Sequence, residues 1–411
     1  MKRREFLGSA ALATAGSLLT RRVVFADTAG QSRLVVIVMR GAVDGLSAVP
    51  PVGDPDYVKL RGALAIATPG AADGALKLDG LFGLHPAFSF LQQSYVAREL
   101  VVCHAVASGY RERSHFDGQN VLESGGVMPG TLDTGWLNRA LDSLPRGATG
   151  GAPAVALGAN VPLLLRGPVD VTSWSPTRLT AVDDDSLQRV AELYAGDPLL
   201  SKRLGEALAA DAIARGTAEG LAGGMSGDAT GMKPPARANR SRYDEVARAA
   251  AGFLRHDHGP RLAVFDTTGW DTHANEGGAR GQLAQRFLEL DAGLRTLKEQ
   301  SGPAWRNTAV IAITEFGRTA AVNGTGGSDH GTGTVALLLG GAVNGGRMLA
   351  DWPGLSQRAL YQQRDLAPTL DLRAVLKGVL ADHMGVPQHA LDDEVFPDSG
   401  TIRPVRDLIR A

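Results

Sequence analysis

The 411-residue sequence is long enough for one large α/β domain or two ordinary ones, and it can bury a substantial core. Its 42 basic and 43 acidic side chains nearly balance, so no global field favours nucleic acid or an anionic membrane surface. Cys103 is the only cysteine, which excludes an intramolecular disulfide. The 52 glycines lie among persistent apolar runs and therefore indicate tight turns rather than disorder.

The first residues are typical of a targeting segment. Arg3 and Arg4 precede an apolar run over residues 8–19, and small residues near Ala26 suit a signal peptidase. The paired arginines followed by Phe-Leu resemble a twin-arginine signal, which exports folded proteins. The alternative, an uncleaved anchor, is disfavoured because about a dozen apolar residues cannot cross a hydrocarbon core of roughly 30 Å. We expect a signal peptide over residues 1–26 and a periplasmic or secreted protein without stable membrane insertion.

Strands and helices alternate along the first part of the mature chain. Residues 33–39 form a β-branched run typical of a strand covered on both faces, and residues 99–105 predict another strand. A helix is expected over residues 87–98, and Ser114 is placed to cap a following helix that runs to Glu123. This alternation indicates the α/β class.

The rest of the chain continues the pattern within one expected domain, residues 27–411. Predicted strands lie at 154–157, 162–165, 261–265, 308–314 and 335–339, and predicted helices at 136–144, 183–194, 197–219, 241–256, 282–300 and 365–386. The order strand, helix, strand around residues 282–300 predicts a parallel crossover. Residues 220–239 lack periodicity and predict a mobile surface loop rather than a domain boundary.

Asp271 and His273 follow the predicted strand at 261–265. Residues two apart on an extended segment point the same way, so both side chains can reach one ion. A carboxylate with an imidazole suits zinc, manganese or iron better than calcium. The alternative is an exposed turn with a hydrogen-bonded pair.

Glu315 ends the predicted strand at 308–314, and Asp329 and His330 lie in a glycine-rich loop. For Glu315, metal binding and an ion pair with Arg318 are equally compatible with the sequence, because charged residues are rarely buried without a partner. Glycines beside Asp329 and His330 allow the backbone to bend a ligand into a crowded site. Alternatively, Asp329 bonds its own backbone in a flexible loop.

Asp44 and Ser114 are individually ordinary, because turn aspartates and capping serines are common. Both nevertheless follow predicted strands, as do the acidic and histidine residues described above. Open α/β sheets build their sites at the carboxyl ends of their strands. We therefore expect these side chains to meet at one edge of the sheet.

Motifs along nearly the whole mature chain carry a family resemblance. With the twin arginines, they lie at 40–46, 113–117, 269–273, 315–318, 329–331 and 340–341. Together they resemble the family known as domain of unknown function 1501, which is grouped with the alkaline phosphatase and sulfatase superfamily. The resemblance implies an alkaline phosphatase-like fold, with a mostly parallel central sheet sandwiched by helices, and a two-metal hydrolase site.

The resemblance also implies a role for particular residues. Asp44 matches the aspartate of the superfamily's first strand, and Ser114 matches a nucleophile at a helix start. Asp271 and His273 match an acidic and histidine pair after a later strand. His330 matches a late histidine in a glycine-flanked loop.

Two departures from the superfamily pattern concern the metals. Glu315 and Phe316 stand where an Asp-His pair is common, so a second metal would lose an imidazole. The usual Asp and His are four residues apart, whereas here they are two apart unless Asp266 or His115 contributes. Either one metal site is rebuilt or the hydrolytic activity is lost.

The sequence therefore predicts an exported metal-dependent hydrolase of a phosphate or sulfate ester, with a small anionic ester or glycan-derived substrate. The predicted metal ligands are Asp44, Asp271, His273, Glu315, Asp329 and His330, with zinc or manganese as the metal. One or two cations would activate Ser114 or a water, and Arg318 or Arg113 would stabilise anionic charge. The alternative is a non-catalytic exported protein that keeps the fold and binds an anionic ligand or partner. The sequence does not indicate an oligomeric state.

Overall fold

The strands of the protein form one large sheet and one small antiparallel pair. The computed structural model describes residues 32–144, 152–176, 189–190, 193–194, 196–219, 242–256 and 259–410. In chain order the strands are β1 (Arg33–Arg40), β2 (Leu76–Lys77), β3 (Gly83–Leu84), β4 (Leu100–Ala107), β5 (Ala154–Leu157), β6 (Thr172–Trp174), β7 (Leu262–Thr268), β8 (Thr308–Ile313), β9 (Thr334–Leu339), β10 (Arg347–Leu349) and β11 (Leu370–Asp371). β2 and β3 form the small pair.

Nine strands build the large sheet. Their spatial order is β10, β4, β9, β8, β1, β7, β5, β6, with β11 also beside β4. β1 pairs in parallel with β7 on one side and with β8 on the other. Among the described strands of this sheet, β9 alone is reversed, and it pairs antiparallel with both β4 and β8. The predicted α/β fold with a mostly parallel central sheet is confirmed.

Helices lie along both faces of this sheet. They are α1 (Gly45–Ala48), α2 (Tyr57–Arg61), α3 (Ser89–Val96), α4 (His115–Ser124), α5 (Trp136–Asp142), α6 (Pro198–Glu219), α7 (Arg242–Arg255), α8 (Gln282–Ser301), α9 (Leu372–Val379) and α10 (Gln388–Ala390). Short 3-10 helices occur at Gly62–Leu64, Leu163–Leu165 and Gly302–Asn307, and π-helical turns at Leu380–Met384 and Leu391–Val395.

The side chains of β1 explain the layered arrangement. Successive side chains on a strand point to opposite faces of the sheet. Val35 and Ile37 share one buried core with Phe287 of α8, whereas Leu34 shares the other with Leu376 of α9. Since β1 lies in the middle of the sheet, it is apolar on both faces. This is why its sequence is a continuous run of apolar residues.

Most of the predicted elements are confirmed, with their ends shifted by a few residues. The confirmed strands are those predicted at 33–39, 99–105, 154–157, 261–265, 308–314 and 335–339, and the confirmed helices are those at 87–98, 136–144, 197–219, 241–256 and 282–300. The crossover predicted around α8 joins two parallel strands, β7 and β8. These strands flank β1 instead of pairing with each other.

One predicted strand is wrong, and one predicted helix starts too early. The predicted strand at 162–165 contains the 3-10 helix Leu163–Leu165, because a short apolar run does not distinguish a strand from a buried helical turn. The predicted helix at 365–386 begins only at α9. Before it, Leu370 and Asp371 pair with β4, and the Asp371 carboxylate accepts a hydrogen bond from the Arg373 amide at 2.8 Å, which caps the helix.

Some predictions fall outside the described residues. These are the signal peptide at 1–26, the loop at 220–239 and most of the helix at 183–194. The single domain over 27–411 stays a prediction. In the described part of the chain, no helix has the length and apolar character needed to cross a membrane.

Candidate metal centre

Three histidine side chains direct their Nε2 atoms at one carboxylate oxygen. Asp271 Oδ1 lies 3.4 Å from His115 Nε2, 3.2 Å from His273 Nε2 and 3.4 Å from His330 Nε2. The Nε2 atoms of His273 and His330 are 2.9 Å apart. We call these four residues the histidine cluster. They come from three separate segments of the chain, so only the fold brings them together.

The topology of the sheet explains this meeting. His115 is the first residue of α4, which follows β4, and Asp271 and His273 follow β7. His330 precedes β9. Because β9 is antiparallel to its neighbours β4 and β8, its amino end lies at the same edge of the sheet as their carboxyl ends. The cluster therefore lies at the edge where open α/β sheets place their sites.

Each of the three histidines has its other ring nitrogen held by an oxygen. The Nδ1 contacts are His115 to Glu315 Oε1 at 2.8 Å, His273 to Asp329 Oδ1 at 3.2 Å and His330 to the Arg113 carbonyl at 2.9 Å. A carbonyl or an ionised carboxylate accepts hydrogen bonds but cannot donate them, so Nδ1 carries the proton. The Nε2 lone pairs are then left facing the common point, as in histidine ligands of metals.

The electrostatics of His330 favour the neutral imidazole, whereas the hydrogen bond with Glu315 raises the pKa of His115 and favours its protonated form. Burial of Glu315 opposes its ionisation, but hydrogen bonds from His115 and Gln119 outweigh it and lower the pKa of Glu315. A hydrogen bond from Asn323, followed by contact with His273, lowers the pKa of Asp329. Both carboxylates are therefore ionised acceptors. Burial lowers the pKa of His330, which favours the neutral imidazole that binds metals.

The donor set fits a divalent transition metal. His115 Nε2 is buried and has no hydrogen-bond partner among the described residues, which is costly unless something else satisfies it. Three imidazole nitrogens and one carboxylate oxygen are ligands that zinc commonly takes. The side chains of the histidine cluster are 26% to 45% exposed, so the cluster lies at the surface although His115 Nε2 itself is buried.

Arg318 fixes Asp271 in place. The Arg318 side chain is fully buried; its Nε donates to the Ala42 carbonyl at 2.9 Å and its Nη1 to the Ser328 carbonyl at 3.0 Å. Its Nη2 forms a short ion pair with Asp271 Oδ1. Burial opposes ionisation of Asp271, but Arg318 outweighs it and lowers the pKa of Asp271. The predicted contact of Arg318 with a substrate stays a prediction.

Glu315 is a neighbour of His115. It is fully buried and accepts hydrogen bonds from the Gly41 amide at 2.9 Å and from Gln119 Nε2 at 3.1 Å, besides the one from His115. The alternative ion pair between Glu315 and Arg318 is replaced by the pair of Arg318 with Asp271. Glu315 thus orients an imidazole, and its predicted role as a direct metal ligand is untested, as is that of Asp329.

Asp44 lies in a second, closed cluster. It caps α1 by accepting hydrogen bonds from the amides of Leu46 at 2.9 Å and Ser47 at 3.0 Å. Its other oxygen pairs with the guanidinium of Arg61 and lies 3.3 Å from Ser328 Oγ. The fold therefore does not bring Asp44 into the histidine cluster, although it was predicted there.

The closed cluster also contains Glu276. Its carboxylate lies 3.6 Å from Arg61 Nη2 and accepts hydrogen bonds from Ser47 Oγ at 3.1 Å and Ser328 Oγ at 2.6 Å. Burial, and then the neighbouring charge of Asp44, raise the pKa of Glu276 to about 8. We call Asp44, Ser47, Arg61, Glu276 and Ser328 the Asp44 cluster.

Ser114 caps α4, as predicted. Its Oγ accepts a hydrogen bond from the Asp117 amide at 3.5 Å, and its own amide donates to the Tyr110 hydroxyl at 3.2 Å. Ser114 immediately precedes His115, which joins the histidine cluster. Whether its hydroxyl acts as a nucleophile stays a prediction.

The sequence analysis missed or underrated several residues. His115 was considered only as an additional contributor, although its place beside a capping serine at the start of a helix was a usable signal. Asp266 was considered with it, but it forms an ion pair with Arg40 at 2.8 Å. Arg61 and Glu276 gave no sequence signal, because the segment around Arg61 reads as loop.

Comparison with known proteins identifies a family and some distant structural similarities. A family model described as "Protein of unknown function (DUF1501)" matches residues 101–395. No curated protein matches the sequence.

Three solved structures show low similarity. Ps i-CgsB, in complex with k-i-k-neocarrahexaose, has 10% sequence identity and a TM-score of 0.39, covering 91% of this chain and 77% of that one. The phosphonate monoester hydrolase of Agrobacterium radiobacter has 12% identity and a TM-score of 0.33, covering 77% and 70%. The 2-O GAG sulfatase BT1596 has 13% identity and a TM-score of 0.32, covering 92% and 76%. Such low TM-scores support no conclusion about activity.

Proposed function

This chain belongs to the family described as protein of unknown function (DUF1501), and we propose that it is an exported, metal-dependent hydrolase of a phosphate or sulfate ester. Its substrate would be a small anionic ester or a glycan-derived molecule. The proposal of export, to the periplasm or beyond, is supported by the twin-arginine pattern at Arg3 and Arg4. The proposal of hydrolysis is supported by the chemistry of the histidine cluster.

The single observation that carries the proposal is that the Nε2 atoms of three histidines approach the same oxygen atom, Asp271 Oδ1. His115, His273 and His330 would hold one divalent ion, zinc or manganese, together with Asp271. A bound ion of this kind supplies Lewis acidity, which lowers the pKa of water and polarises an ester oxygen. The solvent exposure of the four side chains leaves room for a substrate to approach.

Neighbouring residues would set the ligand geometry before any substrate arrives. Glu315 fixes the ring of His115, Asp329 fixes that of His273, and Arg318 fixes Asp271. Ligand orientation by such hydrogen bonds raises the basicity of the imidazoles and reduces reorganisation during the reaction. The buried Glu315 and Arg318 are therefore supporting residues in this proposal.

We propose one metal ion at this site in place of the two that the family resemblance implies. The aspartate expected to bind a second ion, Asp44, is already neutralised by the buried guanidinium of Arg61. Both oxygens of Asp44 have partners in a closed cluster, whereas Asp271, whose Oδ1 pairs with Arg318, is 44% exposed and can be reached by an ion from outside. The closed cluster thus supports a structural role for Asp44.

Ser114 or a water molecule would be the nucleophile. Ser114 lies at the amino end of α4, where free backbone amides and the helix dipole favour negative charge. It immediately precedes His115, a residue of the histidine cluster, which supports the proposal. A serine nucleophile would give a covalent intermediate, whereas a water nucleophile would not.

One observation favours a second candidate function, non-catalytic binding of an anionic ligand or partner. Arg318, predicted to stabilise anionic charge on a substrate, is buried and donates to backbone carbonyls and to Asp271. An arginine held this way contributes less to a developing charge on the substrate. A protein that keeps the metal but lacks turnover would match this second candidate.

Metal analysis combined with ester hydrolysis tests the proposal. The purified protein should contain one equivalent of zinc or manganese by mass spectrometry, and it should hydrolyse aryl phosphate or aryl sulfate esters. Chelation should remove both the metal and the activity. If the protein takes up neither ion after reconstitution, the metal site is refuted. If the protein binds metal but hydrolyses none of the phosphate or sulfate esters, the second candidate function, non-catalytic binding, replaces the first.

A further inference from the structure

A buried aspartate, Asp365, lies just outside the histidine cluster. It is fully buried and accepts hydrogen bonds from two arginines and a threonine. Arg113 donates from Nε at 2.9 Å and approaches with Nη2 at 2.8 Å, Arg364 donates from Nε at 2.8 Å, and Thr332 donates from Oγ1 at 2.8 Å. Asp365 therefore joins its neighbour Arg364 to Arg113 and Thr332, which are distant in sequence.

Both arginines also contact His330, at different atoms. The carbonyl of Arg113 accepts the hydrogen bond from His330 Nδ1 at 2.9 Å. Arg364 Nη2 donates to the backbone carbonyl of His330. The ring of His330 and its backbone are thus each held by a residue that is itself tied to Asp365.

The backbone conformation of Arg113 requires support from contacts such as the ion pair with Asp365. Arg113 has φ of 61°, in the left-handed region that residues other than glycine rarely adopt. Such a conformation persists only where the surroundings hold it in place. For Arg113 those surroundings are the ion pair with Asp365 and a hydrogen bond to Gln362 Oε1 at 2.6 Å. If Arg113 relaxed, its carbonyl would turn away from His330.

We propose that Asp365 is the positioning residue for His330, and that it fixes the tautomer and orientation of this ligand through Arg113 and Arg364. The inference rests on the proposed function, because it assigns Asp365 a role in metal binding by the same site. Asp365 touches neither metal nor substrate and acts only through the two arginines. Nearby residues that orient a metal ligand typically contribute roughly 10- to 100-fold to metal affinity.

The test compares zinc affinity in two matched variants. Asp365→Asn keeps the shape of the side chain but removes the charge that both arginines share. Asp291→Asn is the control: Asp291 is also buried, but it accepts hydrogen bonds from the amides of Phe90 and Leu91 in α3. In a competition titration with a chelating dye, Asp365→Asn should weaken zinc binding roughly 10- to 100-fold, whereas Asp291→Asn should leave it unchanged.

A second readout follows His330 directly in the metal-free protein. Nitrogen NMR shifts of the imidazole distinguish a ring with the proton on Nδ1 from one with the proton on Nε2. The wild type should show Nδ1–H for His330, and Asp365→Asn should show a mixture of tautomers. A general loss of stability would not produce this change in one ring.

The outcomes separate this inference from the proposed function. If wild-type protein binds no zinc, the proposed metal site fails, and the NMR comparison still decides whether Asp365 positions His330. If Asp365→Asn binds zinc as tightly as the wild type and its His330 has the same tautomer as in the wild type, the inference is overturned. If Asp365→Asn does not fold, Arg113→Gln replaces it and should weaken zinc binding several-fold; unchanged affinity and an unchanged tautomer there would overturn the inference too.

Discussion

The histidine cluster and the Asp44 cluster lie at the same edge of the sheet but differ in how their charges are balanced. The side chains of Asp44, Arg61 and Glu276 are at most 1% exposed, whereas those of the histidine cluster are 26% to 45% exposed. In the closed cluster Arg61 supplies the cation. In the open cluster Arg318 pairs with Asp271 Oδ1, but three imidazole nitrogens also lie within 3.4 Å of that oxygen and can bind a cation from outside.

Protonation of Glu276 leaves the Asp44 cluster with no net charge. With its pKa raised to about 8 by burial and by Asp44, Glu276 is neutral at pH 7. Asp44 and Arg61 then form a pair whose charges balance. A carboxylate at a strand end thus does not identify a metal ligand until its partners are known, because an arginine can take the place of an ion.

The two clusters are also joined. Thr272, which lies between Asp271 and His273, donates a hydrogen bond to Glu276 at 3.0 Å. Ser328 donates to Glu276 through its hydroxyl and accepts from Arg318 through its carbonyl. The closed cluster therefore supports the loops that carry the open one, and the two should respond differently to substitution.

The largest expected effect is the loss of metal from the open cluster in His330→Ala. One Nε2 ligand disappears, so zinc affinity should fall more than about 100-fold, beyond the range of supporting residues, and any ester hydrolysis should cease. Mass spectrometry of the purified variant measures bound zinc. Ser114→Ala is the contrasting variant, since it should abolish turnover while metal stays bound. Retention of full activity in both would refute the proposed site.

The next largest effect is on folding, in Arg61→Met. Removing the cation leaves the Asp44 carboxylate buried without a partner, which should lower the free energy of unfolding by about 3–5 kcal/mol. Urea denaturation followed by circular dichroism measures this change. Arg280→Met removes an exposed ion pair with Asp73 and should have little effect. Equal stability of both variants would show that Arg61 does not stabilise the closed cluster.

An effect of similar size concerns the pH dependence of stability. The pKa of Glu276 is raised from an ordinary value of 4.5 to about 8, so the folded state retains a proton that the unfolded state has lost. Stability from this group is present below pH 4.5 and is lost as pH rises towards 8. Each pKa unit corresponds to about 1.4 kcal/mol.

Glu276→Gln tests this directly, because an amide does not titrate. Unfolding free energies measured at pH 5, 6, 7 and 8 should fall with pH more steeply in the wild type than in Glu276→Gln. Parallel profiles for the two proteins would mean that Glu276 ionises normally in the folded state.

The smallest expected effect distinguishes the two roles open to Asp329. As the residue that holds His273 Nδ1, it should matter moderately, because an amide oxygen can still accept that hydrogen bond. Asp329→Asn should then weaken zinc binding about 10-fold in a competition titration. A loss as large as that of His330→Ala would instead make Asp329 a direct ligand. Asp73→Asn, another exposed aspartate, serves as the control.

The sequence predicted most of the fold because the sheet is buried on both faces. Runs such as that of β1 are apolar without interruption, and α8 shows its buried face as a period of three and four residues. The predictions failed where the signal is short or depends on partners. Leu163–Leu165 is too short for its periodicity to be read, and the start of α9 depends on a carboxylate cap.

The site was predictable in part. Asp271, His273 and His330 were identified from their positions near strand ends, and the fold brings them together. The position of Asp44 was predicted from the same reasoning, but its pairing with Arg61 depends on side-chain contacts within a segment that reads as loop. The pattern of a single sequence does not show whether a carboxylate will pair with an arginine or bind a metal ion.

The reversed direction of β9 has one further consequence. Adjacent antiparallel strands leave and enter the sheet on the same side, so the chain between β8 and β9 never has to cross to the opposite rim. That single excursion supplies Glu315, Arg318, Asp329 and His330. An insertion or replacement confined to this loop would change how His115 is oriented, how Asp271 is charge-paired and which histidines face it. The hydrogen bonds between β8 and β9 would stay intact.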